Sequence, residues 1–173
     1  MKKIMWAAVA LTLFAMTSRA QNTPKADASI GYSYLHLSQS GATANLNGVS
    51  GSIAYNATSV LGIAGDIGYY HGSPSGVGLN AVSYVFGPRF SFRKSEKAVP
   101  FFQALFGGAR ASSSGVSTNN FAYSFGGGAD LGIFHKDTVG IRPQFDYIGI
   151  RSNGTTVNGA RVSVGLVFHI GQK

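Results

Sequence analysis

The chain of 173 residues contains no cysteine. Disulfides, thiolate metal sites and a lipid-modified cysteine are therefore all excluded. Acidic residues are scarce, with six Asp and Glu in total and one glutamate, Glu96. The single tryptophan, Trp6, lies near the amino terminus. No apolar run reaches the roughly 20 residues that a membrane-spanning helix needs. The longest, Ile4 to Met16, follows Lys2 and Lys3 and precedes Ser18-Arg19-Ala20, the small-x-small form of a cleavage site. Residues 1–20 therefore read as a secretory signal peptide. Without Lys2, Lys3 and Arg19, the 14 Lys and Arg fall to 11 against 6 acids, leaving a mature charge of about +5. Those cations are scattered, with no basic stripe interleaved with aromatics, which argues against nucleic acid as a partner. Residues 21–173 form one domain by length, with no linker or break in composition.

What the chain does have is alternation. In the last fifty residues Val162, Val164, Leu166, Phe168 and Ile170 alternate with Arg161, Ser163, Gly165, Val167 and His169. Val139, Ile141, Pro143, Phe145 and Tyr147 oppose Gly140, Arg142, Gln144, Asp146 and Ile148, and Phe121 to Leu131 follows the same rule. A period of two marks strands. Large apolar residues occupy one face, and glycine, serine and isolated full charges the other. A soluble sheet would dress its outer face with Lys, Glu and Thr. A small-residue face with isolated charges suits a narrow interior instead, and the apolar face then needs lipid as its solvent. An apolar-lined ligand carrier would reverse this alternation.

Earlier in the chain the pattern recurs over Ala28–Leu37, Gly48–Asn56, Leu61–Tyr70, Val82–Arg93 and Val99–Ala109, making eight strands of about ten residues. Three short turns, Ala57-Thr58-Ser59, Lys94-Ser95-Glu96-Lys97 and His135-Lys136-Asp137, should alternate with four longer loops, Ser38–Asn47, His71–Gly78, Ala111–Asn120 and Ser152–Gly159. Eight is the lower size limit of transmembrane barrels. Closure is required because lipid leaves unpaired backbone groups unsatisfied at several kcal/mol each. Pro88 and Pro143 fall within strands, where each removes a ladder donor, so bulges or unpaired carbonyls are expected there. With no tryptophan in the mature chain, Tyr and Phe must supply the aromatic belts.

The segments GYSYLHL (31–37), LGIAGDIGYY (61–70), FGPRFSFR (86–93), GGGADL (126–131) and IRPQFDYIGIR (141–151) resemble the OmpA-type, porin-like outer-membrane β-barrel family. The resemblance covers the whole mature chain. It implies an all-β, eight-stranded antiparallel up-and-down transmembrane barrel with short periplasmic turns and longer extracellular loops. It also implies outer-membrane lipid as surroundings, the outer-membrane assembly machinery during biogenesis, and a monomer. Two features depart from the family. Phe168 is followed by five further residues instead of ending the chain, and no peptidoglycan-binding domain follows the barrel.

The inward face collects Asp66, Arg89, Gln103, Asp130, Arg142, Gln144 and Asp146. Such a set could be a proton or ion path, or a charge-paired plug. Eight-stranded barrels have interiors just wide enough for side chains to fill, and buried charges must pair, so the plug is the stronger reading. Arg142 should pair with Asp130, Asp146 or both. Tyr70 and Arg93, near strand ends, should only narrow an entrance. His36, His71, His135 and His169 show no metal-ligand spacing, and no cofactor motif is present. His36-Leu37-Ser38 and His71-Gly72-Ser73 have the His–Ser spacing of barrels that deacylate lipid, but no acid is placed to orient either imidazole. The expectation is a non-enzymatic outer-membrane barrel with a structural or surface-interaction role. The rival is a narrow channel for ions or small solutes.

Overall fold

A computed structural model describes residues 23–39, 42–95, 97–113, 116–132, 138–152 and 154–171. The signal-peptide segment 1–20, Glu96 and the turn His135-Lys136-Asp137 lie outside the described residues. Eight strands follow in order: β1 (Ala26–Gln39), β2 (Ala42–Asn56), β3 (Leu61–Gly72), β4 (Leu79–Ser91), β5 (Ala98–Ser113), β6 (Val116–Gly132), β7 (Val139–Ser152) and β8 (Thr155–Ile170). Each pairs antiparallel with its sequence neighbour, and β8 pairs with β1 to close an all-β barrel.

The stagger of the barrel can be followed pair by pair. Ala28 faces Ile53, then come Gly65, Phe86, Phe106, Tyr123, Gly149 and Asn158, which faces Ser38 back on β1. One circuit thus climbs from Ala28 to Ser38. For eight strands this sets a tilt of about 40°, inside the usual range for barrels. Closure is tightest where Gly31 faces Gly165 across the β1–β8 seam. A Cβ on Gly31 would lie 2.3 Å from the Val164 carbonyl oxygen and 2.4 Å from the Gly165 Cα, so only glycine fits there.

The strands are longer than the alternation alone indicated, from 12 residues in β3 to 17 in β6. Three of the four expected loops are mostly strand. β1 continues to Gln39 and β2 resumes at Ala42, while β5 and β6 run to Ser113 and from Val116, and β7 and β8 run to Ser152 and from Thr155. Only the stretch after Gly72 keeps an irregular course, with one 3-10 turn at Pro74–Gly76. The expectation of longer loops at this end is therefore corrected. Ser, Asn and Thr disfavour strands only weakly, and β preference follows the neighbours a strand packs on. Here each hairpin partner completes the ladder, and Leu37 and Leu46 within this region turn into the barrel.

Neither proline introduces a bulge. Phe86 pairs with Phe106 and Arg89 with Gln103 in unchanged register, with the β4–β5 ladder interrupted between them at Pro88. The β6–β7 ladder breaks in the same manner beside Pro143, between the Gly128–Gln144 and Leu131–Ile141 pairs. Each proline still pairs on its other side, with Ile63 and Val164 respectively. The expected bulges are absent, and the missing donors instead leave a gap of two successive pairs in each ladder.

The outward face is apolar and exposed, with Ile30 at 63%, Ile67 at 60% and Phe86 at 68%. Toward the end that holds both termini the band finishes in Phe90, Phe92, Phe102 and Phe168, all exposed. At the other end it finishes in Tyr32, Tyr34, Tyr69, Tyr84, Tyr123 and Tyr147. This is the belt position where rings with an apolar body and a polar tip are favoured. The hydroxyls of Tyr32, Tyr69 and Tyr147 donate to the Oδ1 atoms of Asn47, Asn80 and Asn158 on neighbouring strands. Such barrels present to lipid an apolar band about 25 Å tall between two aromatic girdles.

A chain with this outer surface is expected to fold only in detergent or lipid. Circular dichroism with size-exclusion chromatography checks this, and a monodisperse β-rich species in plain buffer would contradict it. Gly165→Val should prevent closure. It is read as loss of the folded, heat-modifiable band on unheated gel electrophoresis.

Candidate functional site

The period of two sends alternate residues of all eight strands into the lumen, and there they stack in layers. At the terminal end the Asp27 carboxylate accepts from His169 Nδ1 at 2.6 Å, Asn56 Nδ2 at 2.8 Å and Arg93 Nη2 at 3.1 Å. Above it, Arg142 grips Asp130 through two parallel bonds from Nε and Nη2, and its Nη1 donates to the hydroxyls of Ser29 and Ser52. Arg89 donates from Nε and Nη2 to Gln103 Oε1 at 3.0 and 2.8 Å. The Phe101 ring lies against both guanidiniums, its centroid 4.6 Å from that of Arg89 and 4.9 Å from that of Arg142. Such contacts are strengthened when the cation is desolvated.

The next layer is built on Asp146, which accepts from Gln103 Nε2, Gln144 Nε2 and Arg161. Arg161 then reaches across the barrel to Asp66 with Nη1 and Nη2, at 2.6 and 3.1 Å, and donates to the Tyr70 hydroxyl at 3.1 Å. Among the described residues, Arg89, Arg93, Arg142 and Arg161 meet Asp27, Asp66, Asp130 and Asp146 in a lumen of balanced charge. The bidentate arginine geometry is the strong form of such pairing. Arg89 alone of the four makes its hydrogen bonds to neutral groups, and its Nη1 has no partner.

Above the charges the lumen turns apolar. Leu35, Leu46, Tyr70 and Ile148 are buried together, with Leu37, Leu79, Ala81 and Ile150 packed on them. A cavity of about 30 Å³ remains beside Ser83, Ser124 and Arg161. That is room for about one water.

The structure brings together all seven residues the sequence placed in the lumen: Asp66, Arg89, Gln103, Asp130, Arg142, Gln144 and Asp146. Of the two partners expected for Arg142 it takes Asp130, and Asp146 goes to Arg161. Arg161, fully buried and bound to two carboxylates, is the centre the sequence reading missed. The signal was available, since Arg161 alternates inward with Ser163. Asp27 lies just before the first strand read from the sequence, Ala28–Leu37, yet it belongs to β1 and is buried. Tyr70 does not edge an entrance: it is completely buried, and its hydroxyl accepts from Arg161. Arg93 ties the mouth to Asp27. His36 and His71 bond Asn45 and Asn80 through Nδ1, on the outer face, and neither is hydrogen-bonded to the serine two residues on.

Fold and lumen together define a small transmembrane β-barrel of eight strands with a filled interior. No family model and no curated protein matches the chain. Solved structures do. Neisserial surface protein A aligns over 84% of this chain and 97% of its own with TM-score 0.71 and 17% identity. Ail, the attachment invasion locus protein of Yersinia pestis, aligns over 84% and 99% with TM-score 0.54 and 18% identity. The outer membrane protein OprG of Pseudomonas aeruginosa aligns over 87% and 98% with TM-score 0.52 and 7% identity. The chain therefore has the fold of small outer-membrane barrels, as the resemblance to the OmpA-type family implied.

Removing one partner of a buried ion pair typically costs about 3–5 kcal/mol, because it strands the other charge. Arg161→Met strands two carboxylates and should cost at least as much as Arg142→Met. Lys94→Met, on an exposed side chain, should change stability by less than about 0.5 kcal/mol. Urea unfolding in detergent, followed by gel mobility, orders the three variants.

Proposed function

We propose that the protein is a non-enzymatic, monomeric outer-membrane barrel of a Gram-negative-type bacterium, exported by cleavage of residues 1–20 and inserted by the outer-membrane assembly machinery. Its role is structural or surface-interacting, and its lumen is a plug. One observation carries this reading: paired charges from Asp27 to Arg161 occupy the lumen in layers, and the apolar cluster of Leu35, Leu46, Tyr70 and Ile148 is packed above them. An ion crossing such a lumen would have to displace bound guanidiniums and then enter an apolar layer, where an isolated charge is strongly disfavoured. Inward glycines leave little room for a water path, because several of them lie against neighbouring backbone. A Cβ on Gly87, Gly126 or Gly128 would come within 2.2 to 2.3 Å of a carbonyl oxygen on the adjoining strand.

Purified protein in planar bilayers is expected to give no steady conductance at neutral pH. Replacing Arg89 and Arg142 with Ser should leave the trace at baseline, since the apolar layer still closes the barrel. Adding Leu35→Ser and Ile148→Ser should then produce openings. Stable unitary currents from the unmodified protein would instead establish the narrow channel.

A further inference from the structure

The outer rim beyond the tyrosine belt is polar, and over most of the circumference it carries no Asp, Glu, Lys or Arg. Around β1 to β4 it consists of His36 bonded to Asn45 and His71 bonded to Asn80. The sector of β5 to β7 differs. Arg110 on β5 and Arg151 on β7 are both exposed and flank β6, Arg110 facing Asn119 and Arg151 facing Phe121. The barrel's stagger offsets their difference in register and brings them to the same level. Strand spacing then sets about 11 Å between their Cα atoms. Among the described residues, Arg110 donates to the Ser117 hydroxyl, at 3.1 Å.

No carboxylate opposes them. Asp27, Asp66, Asp130 and Asp146 are all buried inside, and the other two acids, Glu96 and Asp137, fall between β4 and β5 and between β6 and β7 in the chain. Directly beneath the arginines the wall is aromatic. Tyr84 lies over Gly108, two residues below Arg110, and Tyr123 lies over Gly149, two residues below Arg151. An added Cβ on either glycine would come within 2.5 Å of the ring or its hydroxyl. Tyr123 also packs on Phe121, Phe125 and Tyr147 at centroid distances of 5.5 to 6.5 Å. Two arginines thus stand at the polar edge of an apolar shelf, their Cα atoms about 11 Å apart on either side of β6, a separation that long side chains can adjust to the two ends of a disaccharide.

We propose that Arg110 and Arg151 form a docking site for one outer-leaflet glycolipid, an acylated disaccharide bearing two phosphoryl groups. Its phosphates meet the two arginines, and its acyl chains lie on the shelf of Tyr84, Tyr123, Phe125 and Tyr147. Arginine is suited to this because its planar fork binds phosphate oxygens two at a time. The sector of β1 to β4 carries no Lys or Arg at this level and offers no equivalent, so the barrel holds one such lipid, on one side. The site rests on the reading of the chain as a lipid-embedded barrel whose termini face the periplasm.

The test uses the full mature barrel in phosphatidylcholine nanodiscs, titrated with lipid A carrying two, one or no phosphates and followed by native mass spectrometry. One bisphosphorylated molecule per barrel is expected. Each lost phosphate, or each of Arg110→Ser and Arg151→Ser, should weaken binding about tenfold, the equivalent of roughly 1.4 kcal/mol per charge-assisted contact. The double variant should lose about a hundredfold. Equal retention of the phosphate-free lipid, or of bisphosphorylated lipid by the double variant, would overturn the site. Equally tight retention of phosphatidylglycerol would overturn the assignment to a glycolipid. Heat-modifiable gel mobility confirms that each variant is folded, and the phosphate series on unmodified protein decides the matter without any variant. A folded barrel indifferent to phosphate removes this site alone, whereas a chain that folds in plain buffer removes the barrel reading with it.

Discussion

Closure of β8 onto β1 is the constraint from which the rest of the molecule follows. A chain that crosses hydrocarbon as strands has no water to satisfy its amides, so every strand needs two neighbours. The smallest ring that does this leaves a lumen filled by side chains. Once the ring is this narrow, the inward residues cannot be chosen freely. They must be small enough to let opposite walls approach, as Gly31 and Gly165 do at the seam, or polar and able to find partners inside.

The lumen charges show how that second option works. A guanidinium desolvated among strands would destabilise the barrel unless its donors are met, and the desolvation penalty can exceed the Coulombic gain. Arg161 meets two carboxylates and a tyrosine hydroxyl, and Arg142 meets one carboxylate bidentately along with two serines. Arg142 with Asp130 and Arg161 with Asp146 join neighbouring strands, whereas Arg161 with Asp66 and Arg93 with Asp27 join strands far apart in sequence, and these two tie opposite walls together into a tertiary clamp. The apolar layer above serves a different end. It packs Leu35, Leu46, Ile148 and the Tyr70 ring where the barrel emerges toward the rim, above the charge layers.

On the outside the demands reverse. The wall must be apolar through the hydrocarbon and change to hydrogen-bonding groups at its edge, a change made here without tryptophan. Tyrosine hydroxyls reach asparagine amides one strand away, so each ring stays in the apolar band while its tip is satisfied at the polar side. Glycines on the outer face accept tyrosine rings laid across them at Gly108 and Gly149. The aromatic shelf and the two arginines above it therefore share one packing arrangement.

Strand number and the inward and outward faces were legible in the sequence, because the period of two is a local property that burial of either face must respect. The wide alternation in Val162–Ile170 placed Arg161 inward as well. What it did not reveal was that this arginine, not Arg142, holds two carboxylates, since that depends on which strand lies opposite once the ring has closed with its stagger. Local composition misled at the strand ends. Serine, asparagine and threonine in Ser38–Asn47 looked like loop, yet hairpin pairing carried β1 and β2 through it and turned Leu46 inward. Tyr70 looked terminal for the same reason. Alternation determined which way each side chain points, a matter of two adjacent residues. Partners, layers and the apolar seal were decided only by the tertiary structure, because they arise from contacts between residues as distant as Asp66 and Arg161.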